Sequence, residues 1–98
     1  MKHNTTIVDL IGKDVICPTV HSNGSSSVTL ANGIELQMIA LLNAITTMED
    51  HWPNARDYYP QGDGAFARAT KEHTERIRLL QNSVLELQAM LDDVYSQQ

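Results

Sequence analysis

The clearest pattern in the chain is a run of apolar positions in its last third. Phe66, Thr70, His73, Ile77, Leu80, Val84, Leu87, Leu91 and Val94 follow one another at alternating spacings of four and three. That spacing predicts one long amphipathic helix over 65–96, with these residues as its inward seam. No Gly or Pro interrupts it, and Ala, Leu, Glu, Gln and Arg fill the other positions, so local propensity agrees. Arg68–Glu72, Glu72–Arg76 and Lys71–Glu75 are each four apart, the spacing of helical ion pairs. Two seam positions, Thr70 and His73, are polar.

Upstream the period changes. Thr6–Ile11 and Asp14–Cys17 are rich in β-branched residues and are separated by Gly12-Lys13, which predicts two short strands and a turn. Pro18 ends the second strand. His21–Ser27 reads as a solvated loop with a turn at Asn23-Gly24. Val28-Thr29-Leu30 reads as a third strand. Asn32-Gly33 has two readings: a hairpin turn into an alternating strand (Ile34, Leu36, Met38), or a helix cap with Glu35 three residues on. The longer run Ile34, Met38, Leu41, Leu42, Ile45 and Met48 has the helical period, so a first helix is expected over 34–51. Trp52-Pro53 closes it. A connector over 52–64 follows, and Asp63 is expected to cap the long helix.

The fold class expected is therefore α+β: one domain over 1–98, with a small antiparallel sheet within 1–33 and then an antiparallel helix pair, the second helix long. The first helix, about 17 residues, spans roughly 25 Å, and the second, about 31 residues, roughly 46 Å. The mismatch would leave Val84, Leu87, Leu91 and Val94 uncovered. It predicts a homodimer or higher symmetric oligomer through the C-terminal helix.

Charge and composition narrow the function. The net charge of −5 with seven Lys and Arg argues against a general nucleic-acid coat. A single cysteine, Cys17, fits a reducing compartment. The polar start of the chain has no signal-peptide core, and the apolar run Met38–Leu42 is short for a bilayer. A cytoplasmic protein is expected. The acceptor pattern at Asn4-Thr5-Thr6 is then coincidental.

No catalytic constellation stands out. His3, His21, His51 and His73 lack metal-ligand spacing, the serines lack a nucleophile elbow, and Cys17 precedes a proline in a strand. No enzyme activity, metal or cofactor is expected. A binding site is more plausible. Arg56, Tyr58 and Tyr59 fall in the connector, and Arg68, His73 and Arg76 on the helix after it. Tyrosine offers an aromatic face for a base, arginine a planar fork for phosphate, and the helix start near Gly64 unpaired N–H donors. A small phosphorylated nucleotide suits that mixture. Each residue also has a structural reading: rings that cap a core, a histidine hydrogen-bonded within it, arginines paired with Glu72.

With its two helices, Tyr58-Tyr59 in the connector and Arg68 and Arg76 on the final helix, the layout is similar to the phage anti-Thoeris sponge family, which sequesters cyclic ADP-ribose signals. The resemblance implies a small sheet before two long helices, assembly as dimers or hexamers, and a nucleotide held by arginines and aromatic rings without turnover. The alternative is a phage inhibitor of the anti-CRISPR kind, whose acidic surface blocks a host defence or nucleic-acid-processing complex.

Overall fold

The computed structural model describes residues 6–98, so the acceptor pattern at Asn4 and the polar start of the chain lie outside the described residues. A two-stranded antiparallel hairpin, β1 (Thr6–Val8) and β2 (Asp14–Ile16), precedes two helices, α1 (Ser27–Glu49) and α2 (Ala65–Ser96). Two short 3-10 turns, Ala55–Asp57 and Tyr59–Gln61, lie between the helices. The α+β order is the one expected.

The hairpin pairs Thr6 with Ile16, Ile7 with Val15 and Val8 with Asp14. β1 stops earlier than predicted because Asp9 begins the turn. Its Oδ1 accepts from the backbone N–H of Ile11 at 3.0 Å and of Lys13 at 2.9 Å, a side-chain mimic of a backbone turn. Gly12 takes φ 87°, open to glycine without strain. Val15 turns inward, whereas Val8 and Ile16 point outward. The hairpin lies against α2. Gln97, just past the end of α2, ties down the segment after β2. Its Nε2 donates to Pro18 O at 2.9 Å and its Oε1 accepts from Val20 N at 2.7 Å.

Cys17 is buried beside this clamp, with its Sγ 3.7 Å from Val15 O. Burial pushes its thiol pKa up, and the neighbouring Asp93 carboxylate pushes it the same way. A thiol held protonated is a poor nucleophile. Iodoacetamide at pH 8 should therefore alkylate Cys17 far more slowly in native protein than in urea; equal rates would contradict this placement.

The first helix differs most from expectation. It starts at Ser27, so Val28-Thr29-Leu30 is helical rather than a third strand, and it ends at Glu49 rather than His51. Ser26 is the N-cap, its hydroxyl accepting from Thr29 N at 3.1 Å. Asn32-Gly33 is neither a turn nor a cap but mid-helix. Ala31 and Ile34, on either side of it, are buried against Leu91 and Val94, and that packing outweighs local propensity. A Cβ added at Gly33 meets nothing within 4 Å. Gly33→Ala should therefore stabilise the fold by about 0.5–1 kcal/mol, raising the melting temperature by a few degrees; a lower one would contradict this helix.

The longer α1 narrows the length mismatch to 23 residues against 32 and carries the helix pair toward the C-terminal end of α2. Leu91 and Val94 are packed against Ala31 and Ile34, with Leu30, Met38, Leu87 and Met90 around them. That part of the C-terminal seam is covered within the chain. Along α2 the seam runs as expected through His73, Ile77, Leu91 and Val94, joined by Ala69, while Phe66 is exposed. The N-cap of α2 is Gly64, left-handed with φ 87° and without a side-chain cap, so Asp63 does not cap the helix. The expected ion pairs of Glu72 with Arg68 and Arg76, and of Lys71 with Glu75, do not form; Glu75 pairs with Arg78 instead.

The result is a rod 62 × 23 × 17 Å. Its radius of gyration, 18.6 Å, far exceeds the roughly 13 Å of a compact domain this long.

Candidate functional site

The six residues singled out from the sequence lie at the end of the rod where α1 hands over to α2, in two different environments. His73 is buried, as its seam position requires. Its Nε2 lies 2.7 Å from the carbonyl oxygen of Met48, and because a carbonyl only accepts, that nitrogen carries the proton. Met48 belongs to the last turn of α1, whose carbonyls have no partner within the helix; its carbonyl also accepts from the His51 backbone N–H at 3.1 Å. His51 serves the same turn: its Nδ1 lies 2.7 Å from Thr47 O. Two imidazoles thus close the end of a helix whose last turn contains no basic residue. Trp52 stacks edge-on against His73, with ring centroids 4.6 Å apart and planes at 62°. The structural reading of His73 accounts for its burial, its hydrogen bond and its ring contact. Thr70, one turn earlier, buries a hydroxyl with no hydrogen-bond partner.

The other five face solvent to different degrees. Asn54 caps the first 3-10 turn by accepting from Arg56 N at 3.1 Å, which leaves the Arg56 guanidinium exposed. Tyr58 is half-buried, and Tyr59 is 76 % exposed. The turn Tyr59–Gln61 rests on α2. Arg68 and Arg76 are exposed on α2. At 3.6 residues per turn they lie about 12 Å apart along the axis, and Arg68 points about 140° away from His73. The chain therefore brings Arg56, Tyr58, Tyr59 and Arg68 to one end of the rod but directs His73 into the core. None of the three guanidiniums makes an ion pair among the described residues, where the pairs are Lys13–Glu86 and Arg78–Glu75. Among those residues, no group of three or more His, Cys, Asp or Glu is placed to hold a metal ion.

A second surface, at the opposite end, was not anticipated. The hairpin presents Val8, Leu10, Ile11 and Ile16 at 61, 81, 56 and 77 % exposure. Beside them a shallow cleft is lined by Ile7, Val8, Asp9, Leu10, Gln88, Ala89, Asp92 and Asp93. Asp9 is buried, and its Oδ2 has no hydrogen-bond partner. Lys13 reaches back to Glu86, a contact that holds its ammonium pKa above the ordinary value. The signal was present in the sequence as Leu10-Ile11 beside a glycine. Reading β1 through to Ile11 hid it, because it placed both residues in a sheet rather than on a turn.

No family model, curated protein or solved structure matches the chain significantly. The functional reading therefore rests on the molecule's own surfaces.

Proposed function

We propose that the protein is a non-catalytic binding protein whose hairpin end docks on a basic protein surface, as a phage-encoded inhibitor of a host defence or nucleic-acid-processing complex would. The single observation behind this reading is the exposure of four large aliphatic side chains on one short hairpin, Val8, Leu10, Ile11 and Ile16, next to a cleft lined by Asp9, Asp92 and Asp93. Apolar contacts surrounded by one sign of charge are how an interface combines affinity with steering. The net charge of −5 directs the chain toward cationic partners, and nucleic-acid-binding sites are large cationic surfaces. The test is phage plating on bacteria that carry individual defence systems, with and without the protein. Plating should rise against at least one system with the native chain and fall back with Leu10→Asp/Ile11→Asp. A rise that survives the double substitution places the activity elsewhere.

The connector supports a second reading, the nucleotide sponge. The guanidiniums of Arg56 in the connector and of Arg68 and Arg76 on α2 are uncommitted among the described residues, and the Tyr59 ring is open for stacking. Cyclic ADP-ribose isomers at a hundred times their dissociation constant would stabilise the fold by about 2.7 kcal/mol, and Arg68→Ala or Arg76→Ala would remove that shift. A melting curve unmoved by every isomer argues against the sponge and leaves the inhibitor.

A further inference from the structure

We infer that the outer face of α1 is the contact between two copies of this chain, packed antiparallel about Ile39. The helix is apolar on two sides. Ala31, Ile34 and Ile45 are buried toward α2, while Val28, Leu36, Ile39 and Leu42 stand 61, 67, 54 and 49 % exposed. Ile39 is five residues from Ile34, about 140° around the axis, so Leu36 and Ile39 face away from α2, with Leu42 on the near edge of the stripe beside Ile45. A helix apolar all round belongs inside something.

Three observations select a second copy as the occupant. The first is area. The chain exposes 6954 Å², about 1,400 Å² more than the roughly 5,600 Å² usual for a folded monomer of this mass. A helix pair about 34 Å long fits within that excess and approaches the roughly 800 Å² per partner of a standard interface. The second is charge. α1 has no Lys or Arg, and its two acidic residues are Glu35 and Glu49. Nothing between Leu36 and Met48 is charged, and Glu35 accepts from the Tyr95 hydroxyl. A partner of opposite charge has nothing here to read.

The third is self-complementarity. Antiparallel packing centred on Ile39 sets Leu36 against Leu42 of the second copy, Glu35 against Asn43 and Asn32 against Thr46. It also opposes the two helix dipoles. Parallel packing would instead bring Glu35 onto Glu35, Glu49 onto Glu49, and align the dipoles. A lipid bilayer is the competing occupant, since α1 is long and apolar enough to cross one, with a stretch of mean hydropathy 1.4. Asn32 and Asn43 on the stripe, and the charged helix packed along its other side, favour a protein contact.

Sedimentation equilibrium of the full chain across the micromolar range tests this. The native protein should pass from one chain to two. Ile39→Glu should weaken that constant by roughly a hundredfold or more while keeping its circular dichroism and melting temperature, and Leu79→Glu, equally drastic but on α2, should leave it intact. Should Ile39→Glu fail to fold, Ile39→Cys in a Cys17→Ser background decides: oxidation should link Ile39→Cys chains to one another. A native chain that stays single, a dimer indifferent to Ile39→Glu, or native protein that binds phosphatidylcholine vesicles through Ile39 would each overturn the inference.

Discussion

Val94→Asp is expected to unfold the protein at room temperature. Val94 is fully buried, enclosed by Ala31, Ile34 and Leu91. Among the described residues only nine apolar side chains are buried, so the total stability belongs near the lower end of the usual ~5–15 kcal/mol. An unpaired carboxylate in such a site costs several kcal/mol even after relaxation, on the order of the whole margin. Far-UV circular dichroism should show the helix signal lost at pH 7 and partly recovered at pH 4, where the side chain takes up a proton. A cooperative urea transition at the native midpoint would mean that Val94 is not the centre of the core.

His73→Ala is the second large effect, and it separates the two readings of that residue. Removing the imidazole takes from the Met48 carbonyl one of its two donors, the other being the His51 backbone N–H at 3.1 Å, and takes from Trp52 its ring contact. The lost hydrogen bond costs about 0.5–1.5 kcal/mol and the space left by the buried ring adds to it, at about 4–8 °C per kcal/mol in a domain of this size. His73→Gln, which restores an N–H donor, should recover part of the loss. If His73 instead served a ligand, alanine would leave the melting temperature of the free protein unchanged and alter only binding.

The long helix was legible because its seam is written in sequence spacing alone. The start of α1 was not. Which serine of the run 25–27 caps the helix depends on packing of Ala31 and Ile34 against Leu91 and Val94, residues distant in sequence. Val28-Thr29-Leu30 has strand propensity, and Asn32-Gly33 has the composition of a turn. Both yield to the burial of Ala31 and Ile34.

The same error concealed the outer stripe. A helix read from Ile34 by its inward period alone leaves Leu36 to a strand alternative and gives Ile39 no place. His73 was readable as inward-facing, but its partner was not. That partner is a backbone carbonyl whose position depends on where α1 stops. Arg68 and Arg76 were expected to be occupied by Glu72, and among the described residues they are not.

The claim beneath these readings is that α1 divides its apolar residues between a face that holds the fold and a face that does not. Two isoleucines on the same helix measure it. Ile34 is 4 % exposed and Ile39 is 54 % exposed. Thermal melts of Ile34→Ala and Ile39→Ala, at a concentration where the chain is single, should differ sharply. The account predicts a loss of about 2–5 kcal/mol for Ile34→Ala and within about 0.5 kcal/mol of native for Ile39→Ala. Equal losses would mean that both faces are buried in one chain, contradicting the account.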